Sequence, residues 1–207
     1  MSRLNARLAA IAAYISAGDR IADVGTDHGY LPIHLYKKGV SDSLILSDVK
    51  QGPLTHAEVN IRQAFGEVPE AFSLRLGDGL EPIKAGETDL CVIAGMGGES
   101  IVAILSADEK KTRSIAKFVL QPRTKTNILR SWIYDNGYYV TDEDLVNERG
   151  KLCEIIIMTP NDPGTVQLRQ YEILKTKNHS LLPAFVEHKQ KLKNKIEEAR
   201  KNVSKDK

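Results

Sequence analysis

Ile21-Ala22-Asp23-Val24-Gly25-Thr26-Asp27-His28-Gly29-Tyr30-Leu31-Pro32 is an apolar run that ends on an acid, with glycines two and six positions beyond that acid. A short apolar run closed by a tight turn and followed by a helical pattern reads as strand, loop, helix. Glycine tolerates positive φ and lets backbone approach a ligand closely, so this turn can wrap an adenosyl cofactor. The pattern is Asp-x-Gly-x-x-x-Gly rather than Gly-x-Gly-x-x-Gly, and a pyrophosphate cradle wants the missing central glycine. Asp27 stands where that glycine would be. A carboxylate there repels a dinucleotide's phosphates and suits a cofactor bearing a sulfonium and an ammonium group. Asp23, Gly25, Thr26 and Gly29 are therefore candidate cofactor residues. An ordinary strand-to-helix turn with a capping Asp or Thr fits the same stretch.

Outward from this turn the chain alternates between two periods. Leu4, Leu8, Ile11 and Ile15 form one helical stripe that Gly18 can end. Strand-like runs follow at 20–24, 44–48, 72–75, 89–94 and 118–120, separated by helical patterns near 30–38, 52–64, 98–107 and 124–136. Such alternation predicts a parallel sheet covered by helices on both faces. After Gly137 the pattern changes: 138–146 and 152–159 are β-rich runs around Asn147-Glu148-Arg149-Gly150-Lys151, which predicts an antiparallel hairpin. The expected fold is α/β and Rossmann-like, a mostly parallel seven-stranded sheet ending in that hairpin, with a short helical appendage. The breaker Asn161-Asp162-Pro163-Gly164 divides residues 1–163 from a tail, 164–207.

Each later strand end adds a candidate. Asp48, before Val49, closes the second strand 25 residues after Asp23, where a carboxylate can accept both ribose hydroxyls of an adenosine. It also suits a simple helix cap. Gly77-Asp78-Gly79 follows the third strand; its Asp can reach an exocyclic amine and its backbone N–H groups can meet ring nitrogens. Gly-Asp-Gly is equally common in plain turns. Ala94-Gly95-Met96-Gly97-Gly98 ends the fourth strand. The Asn- or Asp-Pro-Pro-aromatic motif of exocyclic-amine methylation is missing there, and no Pro-Cys loop offers a nucleophile for carbon methylation. Small residues with one flexible Met leave room for a base, with Gly97 beside it, and suit a neutral ring nitrogen as nucleophile. A glycine-rich turn opening a helix is the plainer reading.

Composition sets limits. The net charge is +2, but from Thr165 to Lys207 eleven Lys and Arg face five Asp and Glu, while the rest carries eighteen against twenty-two. A basic tail on an acidic body fits a polyanionic partner or a solvated lysine face. Phe185, Leu192, Ile196, Ala199 and Val203 form a tail stripe, with Lys189, Lys191, Lys193 and Lys195 mostly off it. No run approaches the roughly 20 apolar residues of a membrane span, and the first residues carry no secretory pattern, so a cytoplasmic protein is expected. Cys91 and Cys153 read as reduced strand residues. No spacing predicts a metal. His28 can touch cofactor or substrate; His34, His56, His179 and His188 read as surface or packing residues.

Asp23 to Pro32, Gln51-Gly52-Pro53, Gly77 to Leu80, Ile93-Ala94-Gly95-Met96-Gly97-Gly98, Leu120-Gln121-Pro122, Leu129-Arg130-Ser131-Trp132 and Gly150 to Ile155 together resemble the bacterial tRNA (adenine-22, N1)-methyltransferases. The likeness runs from the Arg7 helix to about Thr159. It implies a class I methyltransferase domain, S-adenosylmethionine as cofactor and a tRNA adenine as substrate. It also implies that Arg7 faces the substrate site. The chain departs from the pattern at Asp48, often Glu, and at Arg123, more often Asn. Its tail is short and lacks the Gly-Pro-Phe/Ile-Leu segment.

On that reading adenine N1, a neutral in-plane lone pair, needs no strong base, and positioning supplies up to about 7–11 kcal/mol. Asp27 is the candidate for stabilising the cationic product ring, with His28, Tyr30 and Met96 lining the target pocket. Arg7, Arg123, Lys125, Lys110, Lys111, Arg113 and the tail lysines are candidates for RNA phosphates. The rivals are a nicotinamide-dependent oxidoreductase, a methyltransferase for another RNA base or a small molecule, and a non-catalytic nucleotide-binding RNA module.

Overall fold

The computed structural model describes residues 4–160 together with six exposed helical positions in the tail, Pro183, Val186, Glu187, Gln190, Lys191 and Asn194. The expected boundary at 163, the apolar tail stripe, His179, His188 and most tail lysines lie outside the described residues. Lys191 is the exception, and its ammonium pairs with Glu187 at 2.5 Å.

Period-two alternation builds the sheet. β1 (Ile21–Val24) pairs in parallel with β2 (Leu44–Asp48) and β4 (Leu90–Gly97); β3 (Phe72–Leu76) joins β2, and β5 (Lys117–Thr124) joins β4. β6 (Tyr139–Glu148) and β7 (Lys151–Thr159) form the hairpin, with β7 antiparallel to β5, giving the order β3-β2-β1-β4-β5-β7-β6. Alternate residues feed two cores, as the pleat requires. Ile21, Leu44, Leu46, Leu90 and Val92 face α1 (Ala6–Ala12), α2 (Tyr30–Lys37) and α3 (Gln51–Phe65). Ala22, Ile45, Cys91 and Ile93 face α4 (Gly98–Ala107) and α6 (Thr126–Asp135). Cys91 and Cys153 are both free strand residues, and Cys91 is fully buried.

Two details differ from expectation. The sequence predicts a helix from 124, but β5 runs on to Thr124 because β4 bulges after Ala94 and keeps pairing Met96 with Pro122 and Gly97 with Thr124. Lys125 then turns the chain into α6 from the left-handed region, at φ 56. A further short helix, α5 (Glu109–Ser114), starts where Asp108 caps the Lys111 amide at 2.9 Å. The hairpin turn is tighter than read, two residues long, with Arg149 at φ 52 and Gly150 at φ 81.

The hairpin is tied down by charge. Arg130 of α6 is buried and reaches Glu143 on β6 and Glu154 on β7, the latter at 2.6 Å. Among the described residues no helix is long and apolar enough to cross a membrane.

Candidate functional site

A cavity of about 680 Å³ opens at the carboxyl ends of β1, β2, β3 and β4, where the strand order reverses direction between β1 and β4. That switch point is where open α/β sheets hold ligands. Gly25, Asp48, Val49, Gly77, Asp78 and Gly79 all line it. Gly25 sits at φ +75 just past β1, and the terminal methyl of Met96 occupies the space a β-carbon there would need. Met96 also lines the cavity. At the far wall, a β-carbon on Gly79 would lie 2.9 Å from Ile104, and one on Gly77 2.9 Å from Pro82. Side chains at these turns would force Met96, Ile104 or Pro82 to shift.

Acids dominate its rim. Asp48, Asp78, Glu81 and Asp108 line the cavity. Asp48 accepts the Lys50 amide at 2.8 Å through Oδ1, so it serves α3's start as well as the cavity. The single lysine in the lining, Lys111, is spent on backbone: its Nζ donates to the carbonyls of Leu80 at 2.9 Å and Glu81 at 3.1 Å. It holds the Gly77–Glu81 loop in place with two of its three N–H donors. Arg113 is likewise committed, to Glu109 at 2.8 Å, the Asn136 carbonyl at 3.0 Å and the face of Tyr138 at 4.7 Å. A carboxylate-rich, glycine-walled cavity fits a cationic adenosyl donor and opposes a pyrophosphate.

Asp23, Thr26, Gly29, Ala94 and Gly95 do not line this cavity. Asp23 lies partly buried at the end of β1, where desolvation raises its pKa to about 6 against the opposing pull of the Thr26 hydroxyl and of Arg7. Thr26 is buried beneath it. Gly29 packs: a β-carbon would sit 3.2 Å from both Ala57 and Leu46. Gly95, at φ +81, has two guanidiniums above it, with Arg7 Nη1 and Arg123 Nε each 3.9 Å from its would-be β-carbon. Arg7 reaches there from α1 by bonding Gln121 Oε1 at 3.2 Å and facing Glu148 at 3.5 Å. Arg123 is exposed, and so is Lys125, whose ammonium lies 3.9 Å from Glu99. A β-carbon on Gly97 would meet Thr124 Oγ1 at 3.3 Å.

The structure thus brings Asp23, Met96, Gly95, Arg7 and Arg123 round one edge, and Asp48, Asp78 and the glycine turns round the other. Asp27 and His28 follow Gly25 on the loop into α2 and Tyr30 opens that helix, all three outside the cavity lining.

Comparison with known proteins agrees with this geometry. Residues 4–156 match the methyltransferase domain family. The chain is 35% identical over 160 residues to the tRNA (adenine(22)-N(1))-methyltransferase of Bacillus subtilis (strain 168), covering 77% of this chain and 66% of that protein. The crystal structure of the B. subtilis m1A22 tRNA methyltransferase TrmK superposes with a TM-score of 0.72 at 36% identity, covering 77% of this chain and 68% of that one. The chain belongs to the tRNA (adenine-22, N1)-methyltransferase family. The structure of M. capricolum TrmK, in complex with S-adenosyl-homocysteine, matches with a TM-score of 0.75 at 26% identity, covering 98% of this chain and 99% of that one. The chain spans about two thirds of the length of the curated relatives it matches.

For this family member the sequence missed two contributors. Ser100, Ala103, Ile104 and Ala107 make α4 a wall of the cavity; their spacing of three and four after Gly98 is the one signal that could have shown it. The bonds by which Lys111 holds the Gly77–Glu81 loop were missed because its carbonyl partners are remote in sequence. His56, read as surface or packing, is both: it is exposed and stacks on His28 with ring centroids 5.4 Å apart.

Proposed function

We propose that this chain transfers a methyl group from S-adenosylmethionine to N1 of an adenine, position 22, in tRNA. The observation that carries the reading is the acid-rimmed, glycine-walled cavity at the switch point of the sheet. Gly25, Gly77 and Gly79 let its walls pack closely, Asp48 accepts the ribose hydroxyls, and Asp78 accepts from an exocyclic amine. When bound, the cofactor supplies an electrophilic methyl on a sulfonium. Asp23, partly buried in β1 beside the cavity, gives the cationic end of the cofactor a counter-charge. Met96 is the flexible side chain between the cavity and the edge where Arg7 and Arg123 converge. Those two guanidiniums orient the nucleotide through its phosphate or base edge. Asp27, exposed on the adjoining loop, stabilises positive charge on the product ring, and His28 and Tyr30 border the target.

In this reading residues 1–163 form the methyltransferase domain and 164–207 a basic extension that helps to hold tRNA, and the protein works in the cytoplasm. The test is incubation with bulk unmodified bacterial tRNA and methyl-labelled S-adenosylmethionine, followed by nucleoside analysis. Label in 1-methyladenosine, lost when position 22 is changed, is expected. Label in another nucleoside overturns the position, and no label in RNA overturns the function.

A further inference from the structure

Three rings lie nearly parallel beside the candidate site. His28 faces Tyr30 with centroids 5.2 Å apart and planes 26° apart, and faces His56 at 5.4 Å and 17°. Both are offset-stacked arrangements. Among the described residues His28 is the ring common to the two contacts. Packing beneath brings His56 there: Gly29, left-handed at φ +65, presses on Ala57 of α3, the residue next to His56. One turn along, Asn60 donates its side-chain amide to the His28 carbonyl at 2.9 Å. The rings are therefore fixed from below while their outer surfaces face water, Tyr30 at 45% exposure and His56 exposed. A wet stack of this kind adds little to the core, so packing gives no reason for it.

We infer that the Tyr30–His28–His56 stack is a ledge for an RNA base next to the methylated nucleotide, with His56 setting affinity for it. The inference rests on the RNA reading above. Drawing one base out of a helix leaves neighbours unstacked, and aromatic rings are surfaces on which such bases restack whatever their identity. The local charge selects a base over a phosphate. Asp27, with its side chain 75% exposed, lies 3.4 Å from His28 Nε2 at the edge of the ledge. That carboxylate repels phosphate and accepts from a base amine.

The donor atoms of Asp27, His28 and His56 lie within 4.8 Å of one another, which raises a metal ion as the other occupant. The openness of the group opposes it. Structural zinc takes four ligands in a closed site, and two of these three groups, Asp27 and His56, are exposed.

The test compares wild type, His56→Ala and His56→Phe on tRNA transcripts, including one with 2-aminopurine beside position 22. The ledge predicts a KM for tRNA raised roughly 5- to 100-fold in His56→Ala. It predicts little change in kcat or in affinity for S-adenosylmethionine, and near wild-type KM in His56→Phe, which keeps a ring without a ligating nitrogen. Quenching of 2-aminopurine on binding is expected with wild type and His56→Phe and not with His56→Ala. An unchanged KM and quench in His56→Ala overturns the ledge. A zinc titration that saturates wild type but not His56→Phe, with His56→Phe as poor as His56→Ala, overturns it in favour of a metal. Wild type that quenches the probe yet methylates no RNA sinks the methyltransferase reading and leaves the ledge standing.

Discussion

Arg7 Nη1 donates to Gln121 Oε1 at 3.2 Å across 114 residues of chain, fastening α1 to the end of β5 directly above Gly95. The same guanidinium faces Glu148 of the hairpin at 3.5 Å and lowers the pKa of Asp23. Arg7→Lys keeps the charge but loses the fork that serves several partners at once. Charged hydrogen bonds of this kind contribute about 1.5–3 kcal/mol, so kcat/KM on tRNA should fall roughly 10- to 100-fold. Calorimetric affinity for S-adenosylmethionine should change little. Parallel loss of both would show that Arg7 shapes the cofactor end and not the substrate end.

Asp23 gives a pH signature. Its folded pKa is raised to about 6, above the ordinary value of 3.8, chiefly by desolvation. A carboxylate raised in the folded state favours folding when protonated, so its penalty is full above the folded pKa and vanishes below the unfolded one. At pH 7.5 the ligand-free Asp23→Asn variant should be more stable than wild type by up to about 3 kcal/mol. That advantage should shrink as pH falls through 6 toward 4. Affinity for S-adenosylmethionine should drop in the variant. Urea midpoints across this range check the first statement and calorimetry the second. A stability difference that does not vary with pH would mean that Asp23 is already well solvated.

What the sequence showed, and what it hid, follows from range. Asp48 and Asp78 end or follow a strand, and Gly77 and Gly79 flank the second of them, so adjacent letters carried that half of the cavity. The hairpin was legible for the same reason. The backbone contacts of Lys111 were hidden because the carbonyls it binds lie 30 and 31 residues earlier. The stack of His56 on His28 was hidden because the two meet only through the packing of Gly29 on Ala57. The run of β5 to Thr124 was hidden by a bulge in its neighbour, which no pattern in β5 itself encodes.

Two glycines should respond in opposite directions to the same substitution. A β-carbon on Gly98 would collide with the Lys125 backbone carbonyl, and Lys125 is itself held at φ 56 by the turn into α6. Neither backbone can yield without moving β5 or α4, so Gly98→Ala should cost about 1–3 kcal/mol or more. Gly52 lies in α3 at negative φ with nothing within 4 Å of its would-be β-carbon. Gly52→Ala should add about 0.5–1 kcal/mol through lower unfolded-state entropy and better helix propensity. Chemical denaturation of the two variants decides it, and equal effects would contradict the packing at Gly98.

Arg130 offers the sharpest test of how the hairpin is held. It is buried between Glu143 and Glu154, and the two carboxylates favour its charged form strongly enough to outweigh desolvation. Removing the cation alone leaves two like charges in a dry site, so Arg130→Ala should cost about 3–5 kcal/mol. Removing all charge is another matter, because desolvation of three ions offsets most of their attraction. The triple variant Arg130→Met, Glu143→Leu, Glu154→Leu should recover most of that loss and can exceed wild type by about 1–4 kcal/mol. Urea unfolding of the single and triple variants separates the cases. If the triple variant is as unstable as Arg130→Ala, the charges hold β6 and β7 by directional bonding that apolar contact does not replace.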